Sequence, residues 1–98
     1  MAKLEVRRYF AGKSANECYQ AILRAVEKAG YAIFKKREIA FLVLCDGSLD
    51  NSAININLMV PFGSPTAVTM NISGENIPED RLSAEADRFF SILKKELG

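Results

Sequence analysis

The sequence predicts an α+β domain: a single antiparallel β-sheet of about five strands with two helices on one face, in the order β-α-β-β-β-β-α. Apolar and polar residues alternate with a period of two between Tyr31 and Ser73, most clearly in Ile54 to Leu58 and Val68 to Ile72. Side chains on a strand point to opposite faces in turn, so this block forms a sheet with one buried and one wet face. A capped amphipathic helical pattern flanks the block on each side. Ninety-eight residues suffice for one domain, spanning 1–98, with one modest core.

Lys3 to Phe10 reads as the first strand, with Leu4, Val6 and Phe10 on one face and Glu5, Arg7 and Tyr9 on the other. Arg8 interrupts the apolar face. Ser14-Ala15-Asn16-Glu17 is a capping box that starts a helix, whose stripe is Cys18, Ile22, Ala25, Val26 and Ala29. Gly30 ends it in the left-handed conformation that a helix C-terminus favours. A second strand from Tyr31 to about Lys36 turns through the basic tip Lys35, Lys36, Arg37 and Glu38 into a third, about Ile39 to Cys45. That third strand is apolar on both faces, with Phe41, Val43 and Cys45 on one and Ala40, Leu42 and Leu44 on the other, so it is central or joins a core to an interface. Asp46-Gly47-Ser48-Leu49-Asp50-Asn51 and Pro61-Phe62-Gly63-Ser64-Pro65 read as loops around strands Ala53 to Val60 and Thr66 to Ser73. The last helix starts near Asn76 or Pro78, and its stripe is Leu82, Ala86, Phe89, Phe90, Leu93 and Leu97. Connectivity then suggests the sheet order 2-3-4-5-1.

No apolar run approaches the length of a membrane span, so no membrane is expected. Charges interrupt Met1 to Arg8 where a signal peptide needs its apolar stretch, so the cytoplasm is the expected compartment. Cys18 and Cys45 lie in apolar surroundings without metal-ligand spacing and read as buried thiols. The net charge of +1 hides an asymmetry, because bases outnumber acids in residues 1–38 and acids outnumber bases in 39–98. Arg7, Arg8, Lys35, Lys36 and Arg37 are the candidate basic patch, provided they converge in space.

No histidine is present, which removes the usual proton shuttle near neutral pH and the triads and most metal sites built on it. No catalytic constellation, cofactor site or metal site is expected. Gly12-Lys13-Ser14 lies where a phosphate loop would end, but Arg7 stands where the first glycine of that motif belongs. Asp46, Ser48 and Asp50 have the spacing of a calcium loop, yet Asn51 and Asn57 replace its glycine and glutamate. Both segments read as ordinary turns.

The polar side of the alternating block is the candidate interface: Asn55, Asn57, Met59, Thr69 and Asn71, extended by Leu42 and Leu44. Uncharged polar groups beside apolar ones suit a contact between two sheets. On the apolar side, Phe41, Phe89, Phe90 and Leu93 are the candidate contacts for a small apolar ligand held under the last helix.

The run Leu4 to Phe10, followed by Gly12 to Ile22, resembles the opening of helix-grip proteins of the polyketide cyclase and Bet v 1-like superfamily. The long final helix, Arg81 to Leu97, matches the helix that grips a curved sheet around an apolar ligand in that superfamily. The whole order of elements also resembles one repeat of the TATA-box-binding-protein fold, whose bare sheet face reads DNA. The resemblances imply a ligand carrier or a nucleic-acid binder; the residues themselves favour a non-catalytic interaction domain that pairs with itself. Homodimer formation is thus the first expectation and a small apolar ligand the alternative. Nucleic acid is less expected, because phosphate contacts need bases that the wet face lacks on this reading.

Overall fold

The computed structural model describes residues 2–98; Met1 lies outside the described residues. The elements are β1 (Ala2–Tyr9), α1 (Ala15–Ala29), β2 (Ala32–Arg37), β3 (Leu42–Leu49), β4 (Ser52–Met59), β5 (Ala67–Gly74) and α2 (Glu79–Leu97). All five strands form one antiparallel sheet in the order β1-β5-β4-β3-β2, and β1 and β2 are its edges. The class, element order and strand order therefore agree with the sequence reading.

Register explains how one face becomes core. Val6, Met70, Leu58 and Val43 lie abreast across the sheet, and Leu4, Ile72, Ile56 and Cys45 form the next row. These rows pack against Cys18, Ile22, Ala25 and Val26 of α1 and Leu82, Ala86, Phe89 and Leu93 of α2. Three residues of the buried helix faces escaped the sequence reading, Ala21 of α1 and two larger ones. Tyr19 of α1 and Glu85 of α2 are both buried, and both fall at helical spacing within the stripes, three residues before Ile22 and four before Phe89.

The capping box forms as expected: the Ser14 hydroxyl accepts from the Glu17 amide at 3.0 Å, and the Glu17 carboxylate accepts from the Ser14 amide at 3.0 Å. That carboxylate fills the helix N-terminus where a phosphate would otherwise bind. Gly30 adopts φ 87°, closing α1.

Two hairpins differ from the expectation. The segment expected as a loop, Asp46 to Asn51, is mostly strand, and only Asp50 and Asn51 turn, with φ 52° and 65°. Two successive left-handed residues match the right-handed twist of the strands they join. Gly47 therefore lies inside β3, where a Cβ would stand 2.8 Å from the Tyr31 ring; the glycine is a site of close approach, not a turn residue. The other hairpin turns at Glu38 to Phe41, and β3 begins only at Leu42. The Phe41 amide donates to the Glu38 carbonyl and the Phe41 carbonyl accepts from the Val60 amide, each at 3.1 Å. These bonds hold Phe41 at φ 49°, an uncommon conformation for a bulky residue, with its ring between Tyr19 and Phe62.

Candidate functional site

The face opposite the helices is open. A row near the Glu38–Phe41 end runs Arg7, Thr69, Met59, Leu42, Arg37 across the strands from one edge to the other, and the next row runs Glu5, Asn71, Asn57, Leu44, Lys35. A third row contains Lys3, Ser73, Asn55, Asp46 and Ala32. All seven candidate interface residues, Asn55, Asn57, Met59, Thr69, Asn71, Leu42 and Leu44, thus share one face and three adjacent strands. Asn55, Asn57 and Met59 are exposed, and Leu42, Leu44 and Asn71 are half-buried. Thr69 shares the face without offering free surface. It is buried, and its hydroxyl accepts from the Arg7 Nε at 3.2 Å, so the arginine lies across it.

The centre of this face carries no charge, and its rim carries both signs. Lys3, Glu5 and Arg7 come from the β1 edge, Lys35 and Arg37 from the β2 edge, and Asp46 from β3. Sequence reasoning named Arg7, Lys35 and Arg37 as bases of the edge strands but could not decide which faces of those strands align with the asparagines. A bulge at Phe34 shifts the register of β2, so Lys35 and Arg37 fall beside Leu44 and Leu42. The alternation of β2 alone carries no sign of that shift.

The five candidate basic residues do not form one patch. Arg7 stands on the β1 edge, and Lys35, Lys36 and Arg37 on the opposite edge, about 19 Å away at ordinary strand spacing. Arg8 points to the helix side. There it pairs with Asp87 at 2.6 Å and lies over the Phe90 ring, 5.4 Å from its centre. This explains how a base interrupts an otherwise apolar face: at the sheet edge its stem covers apolar surface while its head stays wet.

Of the candidate ligand contacts, Phe89, Phe90 and Leu93 share the buried face of α2, and Phe41 stands apart. Phe89 and Leu93 are sealed in the core, as are the facing Ile56, Leu58, Met70 and Ile72. A void large enough for a water would expose some of its lining, and these residues expose none, so the space beneath the final helix is filled. The reason is local packing: the Tyr31 ring stacks on Phe89 at 6.0 Å, and Phe90 meets Phe89 edge-on at 5.8 Å. Phe41 is part of the separate stack with Tyr19 and Phe62. Phe90 alone of the four reaches a concavity, an open surface groove of about 470 Å³ that Arg8, Tyr9, Phe10, Asp87, Ser91 and Lys94 also line.

A polar network underlies the sheet's other end. The Tyr31 hydroxyl donates to Glu85, Arg88 donates to the same carboxylate at 2.7 Å, and Arg88 also donates to the Ala29 carbonyl at 2.9 Å. Burial pushes the Glu85 carboxyl upward, but the bonds from Arg88 and Tyr31 outweigh it and hold the group below its ordinary value. The Tyr31 hydroxyl, the Glu85 carboxylate and the Arg88 guanidinium bond to one another and join α2 to the end of α1.

The segment read for calcium spacing is a strand that ends in a tight turn. Asp46 and Ser48 project from β3, and the Asp50 carboxylate accepts two bonds from Arg81, at 2.9 and 3.0 Å. Among the described residues no helix is long and apolar enough to cross a membrane. The architecture defines an α+β domain with a bare antiparallel sheet face. Compared with known proteins, the chain matches no family model and no curated protein.

Proposed function

We propose that this protein is a non-catalytic interaction module that pairs with a second copy of itself through the open sheet face. One observation carries the reading: Leu42, Leu44 and Met59 stand together on neighbouring strands at an uncharged centre, with charges of both signs around it. A neutral, partly apolar centre inside a charged rim is the anatomy of a protein interface. Size supports it too. Four strands of eight residues and one of six, about 4.8 Å apart, make a face of roughly 600 Å². Two such faces would bury about 1,200 Å², the lower end of stable interfaces. The free buried thiols Cys18 and Cys45 favour a reducing compartment, and we assign the module to the cytoplasm.

Light scattering on a size-exclusion column tests the reading. The expected result is a dimer that the pair Leu44→Lys and Met59→Lys converts to a folded monomer. A wild-type monomer at high concentration overturns it.

A second reading rests on the bases along both edges. Lys3, Arg7, Lys35 and Arg37 flank the asparagines, which is the placement a sheet needs to hold a nucleic-acid backbone while its centre touches bases or grooves. It is the reading the likeness to a TATA-box-binding-protein repeat would use. Retention on DNA or RNA that falls steeply with salt supports it, and no retention at low salt ends it.

A further inference from the structure

Three loops meet at one end of the sheet: the Glu38–Phe41 turn, the connection from Val60 to Thr66, and the connection from Phe10 to Ser14. Backbone bonds tie them together, from the Val60 amide to the Phe41 carbonyl at 3.1 Å and from the Phe10 amide to the Thr66 carbonyl at 2.8 Å. Two large apolar side chains project from the tips. Ile39 is 94% exposed and Phe62 is 84% exposed, although the Phe62 ring centre lies 6.4 Å from that of Phe41. Tyr9 adds a third exposed ring where β1 ends.

The same end is basic. Lys13, Lys35, Lys36 and Arg37 gather there, and none of them forms an ion pair among the described residues. The acids present are Glu38 and Glu17, and the Glu17 carboxylate is engaged in capping α1. At the far end, around the Asp50–Asn51 turn and the start of α2, the acids Asp50, Glu75, Glu79 and Asp80 outnumber the bases Arg81 and Lys3.

We propose that the basic end docks on a membrane surface rich in anionic lipid, with Ile39 and Phe62 entering the interfacial layer and Lys13, Lys36 and Arg37 meeting the headgroups. Nearly complete exposure is the reason to choose a bilayer over a folded partner. A protein interface seats its anchors in well-packed, complementary surroundings, whereas a fluid layer closes around isolated side chains on convex loops. The bases add attraction to an anionic surface, and the acidic far end is held away from it. This contact needs no spanning segment and shares Arg37 with the rim of the open sheet face.

Co-sedimentation with vesicles tests it. Vesicles of phosphatidylcholine with about 30% phosphatidylserine should pull the protein down, while pure phosphatidylcholine or about 0.5 M salt should not. Ile39→Ser with Phe62→Ser should lower the partition at least about tenfold, and Lys36→Gln or Arg37→Gln should each lower it about fivefold. All four side chains are exposed, so thermal melts of the variants should match the wild type. Leu44→Lys with Met59→Lys, which disrupts the sheet face, should leave vesicle binding in place. No binding to anionic vesicles, or binding indifferent to Ile39 and Phe62, overturns the proposal. So does loss of a dimer in the Ile39 and Phe62 variant, which would assign these side chains to a second copy, or loss of RNA retention in it, which would assign them to nucleic acid.

Discussion

The hydroxyl of Tyr31 donates a hydrogen bond to the carboxylate of Glu85, joining the residue after the α1 C-cap Gly30 to the buried face of α2. Glu85 is only 7% exposed, and it is tolerated there because Arg88 reaches the same carboxylate and the end of α1 together. The Tyr31 ring itself lies flat between Gly47 and Phe89. Tyr31→Phe removes one charge-assisted bond and should cost about 1–2 kcal/mol in urea unfolding. Glu85→Ala should cost more, about 2–3 kcal/mol, because it leaves both the phenol and part of the guanidinium without a partner.

Tyr19 shows the opposite case. Its hydroxyl is buried and has no hydrogen-bond partner among the described residues. Burying an unpaired hydroxyl is unfavourable, so Tyr19→Phe should leave stability unchanged or raise it by up to about 1 kcal/mol. Thermal melting checks this, and a clear loss would mean the hydroxyl has a partner.

Both cysteines are buried thiols, and burial pushes the Cys45 thiol up to about 12 and raises that of Cys18 as well. Neither should react with a water-soluble disulfide reagent at neutral pH while the chain is folded. Both should react at once in denaturant, and the labelling rate between these limits reports opening of the core.

Acid should unfold the protein through its paired carboxylates. The Ser14 amide holds Glu17 below its ordinary range, the Arg81 guanidinium holds Asp50 there, and Lys28 followed by Arg24 holds Glu96 there. Glu85 is depressed as well, because Arg88 and Tyr31 overcome its burial. A carboxyl depressed in the folded state contributes stability that is present above its unfolded pKa and is lost as pH falls through the folded one. The melting temperature should therefore hold from neutral pH to about 5 and fall below about 4. Arg81→Met should weaken that fall by removing the partner of Asp50.

The Asp50–Asn51 turn offers a stabilising change. Asn51 sits at φ 65°, where glycine has no steric penalty, so Asn51→Gly should raise stability by a few tenths to about 1 kcal/mol. Asp50 is better left alone, since its carboxylate accepts both bonds from Arg81.

The fold was legible because its signals are local. Ser14 and Glu17 are three residues apart, Gly30 follows its helix directly, and Ile54, Ile56 and Leu58 repeat every second residue. Gly47 misled for the same reason. Beside Asp46 and Ser48 it resembles turn chemistry, and its actual role depends on Tyr31, sixteen positions earlier and across the β2–β3 hairpin. Glu85 was hidden among apolar neighbours, because a charge at a core position makes sense only once Arg88 and Tyr31 are seen to satisfy it.

The same division runs through the candidate surfaces. By itself the sequence determined the seven elements, the core faces of β4 and β5, the caps of α1 and the gathering of Asn55, Asn57 and Asn71 on one face, all consequences of spacing along a chain. Tertiary structure decided that Lys3, Arg7, Lys35 and Arg37 flank those asparagines, that Arg8 turns away to Phe90, and that Ile39 and Phe62 share one basic end. Those outcomes depend on strand register, on one bulge and on which loops meet at a sheet end. They are set by contacts between residues far apart in the chain, which no periodicity records.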